Sequence, residues 1–219
     1  MQKVQVMLSI IKKLYTMNLL TQNTKIKLTG IELKKKVFNF SIPAFKTALG
    51  KITCPFADSC IKFCYAQKGN YKRFPSVRNS MEKKYTLTKQ DNFIQLMNKE
   101  IIKKKPDFIR VHDSGDYYSP KYLNKWLTIA IENPAVKFYS YTNSIKFIKD
   151  LKNIPINFDF IFSDSGKQVN LIDKNKDRHT KIFKSSSELT KAGYTDASKI
   201  DLYSTKWYNK TNKVGLIFH

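Results

Sequence analysis

The segment FIRVHDSGD, residues 108–116, decides the fold class of this chain. It begins with the apolar run of a buried strand and ends in residues that form turns. A second segment, FDFIFSDSG at residues 158–166, repeats this arrangement, and residues 137–141 form a further strand candidate between the two. Helical spacing of apolar residues over 120–131 separates the first two strands. Strands that alternate with helices predict βαβ units and a parallel sheet.

The pattern on either side of these segments extends the prediction over the rest of the chain. It predicts helices at 3–20, 77–104, 145–151 and 180–193, with a break near 86–88 as the alternative to one long helix at 77–104. It also predicts extended segments at 25–42, 200–203 and 214–218. The length of 219 residues suits one sizeable core. We therefore expect a single α/β domain over 1–219, with an N-terminal helical extension (1–36), a cluster-binding βα core (37–170) and a C-terminal part (171–219).

The charge of the chain is strongly positive, at +23 from 40 Lys and Arg against 17 Asp and Glu. Such an excess favours a polyanionic partner, for which nucleic acid is the usual candidate. Only four of these residues are Arg, and the chain is rich in Lys, Asn and Ile, so the base composition of an AT-rich genome is the competing explanation. No stretch is apolar for long enough to form a membrane helix, and no secretory signal is apparent, which favours the cytoplasm.

All three cysteines, Cys54, Cys60 and Cys64, lie within eleven residues. Three close thiolates without a fourth predict a metal or iron–sulfur site that keeps one coordination position open. The gaps of five and three residues differ from the C-x2-C knuckles of structural zinc, which favours iron–sulfur. The alternatives are a zinc site completed by His112 or His179, and buried cysteines without a ligand.

Four polar segments follow consecutive predicted strands. The cysteines come after a strand that ends near Ile42, and residues 113–116, 142–144 and 164–166 end the next three strands. Ligand sites of parallel α/β folds form at the carboxyl ends of strands, so these segments are expected to converge on one face. Ordinary turn chemistry is the competing explanation. A metal-dependent nuclease, with Asp113, Asp116 and Asp164 as ligands of a hard cation, is a further reading.

Three short motifs resemble those of radical S-adenosylmethionine enzymes. Phe63-Cys64-Tyr65-Ala66 is similar to the end of their cysteine motif, Ser114-Gly115-Asp116 to the acidic motif after their second strand, and Thr142-Asn143 to a pair after their third strand. The cysteine spacing here is C-x5-C-x3-C, whereas that superfamily usually has C-x3-C-x2-C.

This resemblance implies a partial (βα) barrel with parallel strands and an enzymatic function. It implies a [4Fe–4S] cluster held by Cys54, Cys60 and Cys64, whose fourth iron binds S-adenosylmethionine. Ser114, Gly115 and Asp116 would position the methionine end of this cofactor, and Phe63 or Tyr65 would lie near its adenine. The full set of residues that it assigns to cofactor binding is Phe63, Tyr65, Ser114, Gly115, Asp116, Thr142 and Asn143.

The chain also resembles the gene product eighty-eight family of phage proteins, in residues 40–44, 53–66, 110–119 and 138–142. That likeness implies a phage or phage-derived protein and supplies no activity. The combined expectation is a phage-type iron–sulfur protein, radical S-adenosylmethionine-like, that acts on nucleic acid in the cytoplasm of a host cell. The alternative is a non-catalytic nucleic-acid-binding protein with a structural zinc or iron–sulfur site, whose exposed aromatic side chains stack on bases. The candidates for such stacking are Tyr117, Tyr118, Trp207 and Tyr208, for which core packing is the competing explanation and the one that we favour for most of them.

Overall fold

A computed structural model describes residues 17–217 of the chain, which form an α/β fold around a seven-stranded sheet. The strands are β1 (Val37–Phe40), β2 (Phe108–Val111), β3 (Lys137–Thr142), β4 (Phe158–Phe162), β5 (His179–Phe183), β6 (Thr195–Asp196) and β7 (Lys213–Ile217). Their order in the sheet is β1-β2-β3-β4-β5-β7-β6, and every neighbouring pair is parallel. The sheet is curled into a half-barrel, which confirms the coarse form of the predicted architecture.

The helices connect and cover these strands. They are α1 (Thr24–Leu33), α2 (Cys60–Phe63), α3 (Gly69–Arg73), α4 (Pro75–Thr88), α5 (Phe93–Lys104), α6 (Pro120–Glu132), α7 (Ile145–Lys149) and α8 (Ser186–Lys191). Single 3-10 turns form at Tyr65–Gln67, Val169–Leu171 and Asp201–Ser204. In the part of the chain that the structure describes, no helix combines the length and the apolar composition needed to cross a bilayer.

Helix α6 confirms the helix predicted at 120–131, and its residues show why that prediction succeeded. Ser119 accepts a hydrogen bond from the Tyr122 N–H at 3.2 Å, and Pro120 occupies the first turn, where a missing N–H costs nothing. The apolar residues of this helix recur at helical spacing and are buried. The predicted strands around 108–112, 137–141 and 158–162 are likewise confirmed as β2, β3 and β4.

The sheet is buried on both faces, as its near-continuous apolar strands require. One face packs in a large cluster that includes Phe40, Trp126 and Phe138. The other face contributes Phe108 and Tyr139 to a second cluster. The four aromatic residues considered for base stacking pack in these cores: Tyr117 is fully buried, Tyr118 packs against the first cluster, and Trp207 and Tyr208 pack against the second. Core packing, the explanation that we favoured for most of them, is therefore confirmed.

The extended segment predicted at 25–42 is wrong over its first half, because 24–33 is helical. Asn23 caps α1 by accepting the Ile26 N–H at 2.8 Å, and the buried positions Ile26, Thr29 and Gly30 follow helical spacing. The apolar residues that suggested alternation, Leu28 and Ile31, are exposed. Only Val37–Phe40 forms a strand.

Two further predictions differ from the structure. The helix predicted at 180–193 is a strand, β5, followed by the short helix α8, which Ser185 caps. The strand predicted at 200–203 is a 3-10 turn that directs Asp201 into the protein. The helix predicted at 77–104 is divided into α4 and α5, and the break that we considered near 86–88 is confirmed because α4 ends at Thr88. The helix predicted at 3–20 lies outside the described residues, apart from 17–20, which are not helical.

Candidate functional site

Asp116 joins three of the polar segments at the carboxyl edge of the sheet. Its carboxylate accepts the Thr142 hydroxyl at 2.6 Å and the Asn143 N–H at 2.8 Å, while its own N–H donates to the Thr53 carbonyl at 3.1 Å. Burial raises the pKa of Asp116 to about 6, and these hydrogen bonds to the carboxylate oppose the rise. Asp116 therefore holds together the ends of β2 and β3 and the segment that leads to Cys54.

The fourth polar segment, after β4, docks against the cysteine loop, which we define as residues 54–66. Ala57 forms an antiparallel bridge with Gly166. The Ser165 carbonyl accepts both the Cys60 N–H at 3.4 Å and the Ser59 hydroxyl at 3.1 Å. All four polar segments thus meet at the carboxyl ends of the strands, as the order of the strands led us to expect.

Gly166 permits this docking because nothing larger fits there. A Cβ at this position would lie 2.3 Å from Asn143 Oδ1 and 2.7 Å from the Phe56 carbonyl oxygen. The backbone of the β4 loop consequently approaches both the cysteine loop and the end of β3 within van der Waals distance.

The sulfurs of Cys54 and Cys60 accept hydrogen bonds from nitrogen donors that lie outside the cysteine loop. The Phe45 N–H donates to Cys54 Sγ at 3.3 Å, and Asn143 Nδ2 donates to Cys60 Sγ at 3.8 Å. All three cysteines are free thiols and partly buried. Burial, and secondarily the negative charge of Asp116, raises the pKa of the Cys54 thiol, and burial raises the pKa of the Cys64 thiol. A nearby cation would reverse this effect and favour the thiolates.

Thiols are suitable ligands for a soft metal, and these three lie at the edge of the sheet where a ligand site is expected. Their present arrangement, however, does not form a metal site. Within residues 17–217, no three side chains of Cys, His, Asp or Glu are grouped in a way that could hold a metal ion. Binding would therefore require the sulfurs of Cys54, Cys60 and Cys64 to come closer together than they lie here.

The histidines proposed as a fourth zinc ligand are engaged elsewhere. His112 is buried among aromatic rings, and its Nε2 shares a hydrogen bond with the Tyr122 hydroxyl at 2.6 Å. His179 bonds the Asp177 carbonyl at 2.9 Å and the Tyr194 hydroxyl at 3.1 Å. The structure does not bring either histidine together with the cysteines as a metal-binding group.

The three carboxylates proposed for a hard cation do not form a group either. Asp113 accepts hydrogen bonds from Tyr71 and Asn23, and Asp164 forms an ion pair with Lys174 at 3.5 Å. Asp116 is occupied by the donors described above. The arrangement predicted for a metal-dependent nuclease is therefore absent from the described part of the chain.

Ser114 and Gly115, predicted to bind cofactor, lock β1 to β2. The Ser114 hydroxyl donates to the Ile42 carbonyl at 2.9 Å, and the Ser114 carbonyl accepts the Ile42 N–H at 3.0 Å. Gly115 adopts a φ of 85° with the Ile42 side chain directly against it, so it needs both the conformational freedom and the small size of glycine. Asp116, Thr142 and Asn143 lie where they were expected, at the strand ends. Phe63 ends α2, and its side chain is outside the described part.

Tyr65 and Tyr71 anchor the cysteine loop region on Asp113. The Tyr65 hydroxyl donates to the Asp113 carbonyl and the Tyr71 hydroxyl to the Asp113 carboxylate. The hydroxyl end of Tyr65 is thus enclosed, although the residue as a whole is 53% exposed. Sequence reasoning missed Tyr71 because a lone tyrosine between turn residues carries no pattern.

Among the buried polar atoms without a hydrogen-bond partner in the described residues, one belongs to the four polar segments. Asn143 Oδ1 is buried and unpaired within the described structure, while Nδ2 of the same amide faces Cys60. An unpaired buried acceptor costs about 1–3 kcal/mol, so a donor supplied by a ligand would be favoured there.

Comparison with known proteins gives one family and one relative. The chain matches the family model described as Gene product 88 over residues 17–214. It is 30% identical over 106 residues to the Gene 88 protein of Mycobacterium phage L5, a match that covers 41% of this chain and 42% of the relative. The chain therefore spans less than half the length of the curated relative that it matches. No solved structure was found to match.

Proposed function

The chain belongs to the Gene product 88 family of phage proteins, and from this premise we propose that its cysteine loop holds an iron–sulfur cluster at the carboxyl edge of the sheet. The observation that carries the proposal is the position of the loop. It brings three free, partly buried thiols over the strand ends, where α/β folds place their ligand sites. Cys54, Cys60 and Cys64 would be the ligands.

The surroundings of the sulfurs support this assignment. Hydrogen bonds to cysteine sulfur are among the means by which proteins adjust the reduction potential of a cluster. The Phe45 N–H and the Asn143 amide are such donors, and Asp116 fixes Asn143 by accepting its backbone N–H. When bound, a cluster with three cysteine ligands would supply one-electron chemistry and one open iron position.

S-adenosylmethionine is the small molecule that we propose for the open position. Asn143 Oδ1 supports a ligand with an amino group, because it is a buried acceptor without a partner in the described residues. Ser114 and Gly115 are committed to Ile42, and Asp116 and Thr142 are hydrogen-bonded to each other. Of the predicted set, Asn143 is therefore the polar residue that would meet such a ligand, with its backbone held by Asp116.

The test is the metal content of protein purified without oxygen from iron-replete cells. We expect iron and sulfide to co-purify, and a paramagnetic resonance signal to appear after reduction and to change on addition of S-adenosylmethionine. The Cys60→Ala variant should lose the iron. The Asp58→Asn variant is the matched control, because this exposed residue of the same loop has no role in the site, and it should keep the iron.

Each other result has a defined meaning. A colourless protein with one zinc per chain would show that the cysteines form a structural zinc site and hold no cluster. A paramagnetic resonance signal that does not change on addition of S-adenosylmethionine would support the cluster but refute S-adenosylmethionine as its ligand. Protein that carries neither iron nor zinc under these conditions would refute the metal centre altogether.

A further inference from the structure

A stretch free of acidic residues runs from 59 to 81, through and beyond the cysteine loop. It contains five basic residues, and the structure places all of them at the surface: Lys62, Lys68, Lys72, Arg73 and Arg78. We define residues 62–78 as the basic segment. Within it, five positive charges have no acidic residue to offset them.

The arginines of the chain divide into two kinds. Arg110 and Arg178 are ion-paired inside the fold, to Asp201 at 3.1 Å and to Asp159 at 3.4 Å. Arg73 and Arg78 are exposed, and neither forms a salt bridge within residues 17–217. A guanidinium group without a carboxylate partner is available for a phosphate, which it can bind through two hydrogen bonds. Both available arginines lie in the basic segment.

Two exposed aromatic rings lie in the same segment. Tyr65 is 53% exposed and Phe74 is 45% exposed, whereas the other large exposed apolar side chains of the described structure are leucines and isoleucines. The Tyr65 ring is held by its hydroxyl, which is bound to Asp113. The Arg73 guanidinium lies over the Phe74 ring, 5.7 Å from its centre. Flat, exposed rings beside unpaired cations are suited to a partner that carries both negative charge and aromatic faces.

We propose that the basic segment is a binding surface for single-stranded nucleic acid. The five cations would contact phosphates, and Tyr65 and Phe74 would stack on bases that a duplex keeps inside its helix. The segment is tied to the sheet by Tyr65 and Tyr71, so it presents a defined surface beside the cysteine loop. This inference depends on charge and exposed rings, and it stands whether or not the cysteines hold a metal.

The test is binding of a labelled single strand of about 16 nucleotides, measured by fluorescence anisotropy over a range of salt concentrations. The test variant replaces Lys68, Lys72 and Arg73 by Gln. Its matched control replaces Lys181, Lys184 and Lys191 by Gln, which removes the same charge from exposed positions of β5, α8 and the loop between them. Circular dichroism of both variants confirms that they fold.

We expect the test variant alone to bind weakly. Each phosphate contact on a single strand contributes about 0.7 to the slope of log affinity against log salt, so the slope should fall by about 2 in the test variant. The slope should stay unchanged in the control. Equal losses in the two variants would show that only net charge matters, and would overturn the proposal.

The rings are tested separately with Phe74→Leu, which keeps an apolar side chain but removes the flat face. Loss of one stacked base should weaken binding by about fivefold or more, which corresponds to about 1 kcal/mol, and leave the salt slope unchanged. Unchanged affinity would overturn the stacking role. Duplex of the same sequence should bind more weakly than the single strand. Equal binding of duplex, or tighter binding of vesicles of anionic lipid, would also overturn the proposal.

Discussion

Arg110 on β2 donates from Nη1 to both carboxylate oxygens of Asp201, at 3.1 and 3.2 Å, although 91 residues separate the two in the chain. Lys25 adds a second cation 2.8 Å from the same carboxylate, and the Tyr139 hydroxyl donates to it at 2.7 Å. Burial alone would raise the pKa of Asp201, but Arg110 and Lys25 outweigh burial and lower it to about 2. These contacts join the C-terminal part of the chain to strands β2 and β3.

Asp201→Asn should strongly destabilise the fold, because it leaves the buried Arg110 charge without its partner. Breaking a buried pair in this way costs about 3–5 kcal/mol in the free energy of unfolding, measured by urea denaturation. Asp150→Asn breaks the exposed pair with Lys146, whose side chains are 63% and 59% exposed, and should change stability by less than about 1 kcal/mol. Similar effects of the two substitutions would contradict the buried pair.

His112 should make stability fall in acid. Burial, and secondarily Arg110, lowers its pKa from 6.5 to about 3. The unfolded chain therefore takes up a proton as the pH drops below about 6.5 while the folded protein does not, which costs about 1.4 kcal/mol per pH unit until about pH 3. In His112→Phe this contribution disappears. The free energies of unfolding of the two proteins should differ by a constant above pH 7 and by a changing amount below it; parallel curves throughout would refute a neutral buried histidine.

Gly166→Ala should loosen the cysteine loop, because the added methyl group would collide with Asn143 and the Phe56 carbonyl. Overpacking of this kind costs about 1–3 kcal/mol. Amide hydrogen exchange should become faster in residues 54–66. Ser165→Ala is the control, since the loop bonds the carbonyl of Ser165 and no side-chain hydrogen bond of this residue is seen in the described structure. Equal exchange in both variants would show that the loop does not depend on this close approach.

Tyr71→Phe should release α3 from Asp113. A hydrogen bond to a charged group contributes about 1.5–3 kcal/mol, and its loss should appear as faster amide exchange over residues 60–73. Tyr203→Phe removes a hydroxyl that forms no hydrogen bond in the described part of the chain, and should leave the exchange unaltered. Unaltered exchange in Tyr71→Phe as well would mean that Asp113 does not hold the segment.

Local patterns predicted the centre of the fold well. β2, α6, β3 and β4 combine apolar periodicity with capping or turn residues at their ends, so several local signals agree for each element. The convergence of the polar segments followed from the order of parallel strands alone. The cysteine loop contacts residues 164–166, and Asp116 contacts residues 142–143. The sequence pattern predicted that these segments converge, but it did not predict the individual contacts.

Prediction failed where distant contacts decide the local structure. Residues 200–203 read as a strand, but Asp201 must reach Arg110 across the fold, and a 3-10 turn directs it there. Residues 25–33 alternate in polarity like a strand, yet the Asn23 cap and the burial of Ile26 and Gly30 favour a helix. Asp113 was predicted as a ligand of a hard cation, but it instead accepts hydrogen bonds from Tyr65 and Tyr71. No sequence motif indicates these two contacts.

The pairing of β1 with β2 sets the order in which this protein can assemble. Phe40 lies in register with Val111, so the pair closes only after the whole cysteine loop, α4 and α5 have been synthesised and brought together. β2, β3 and β4 are joined by short crossovers and face a smaller entropic cost of closure. We therefore expect the central strands to fold early and the β1 edge, with the sulfur-bearing loop, to be added late, so that maturation of the site would take place on a scaffold that already exists.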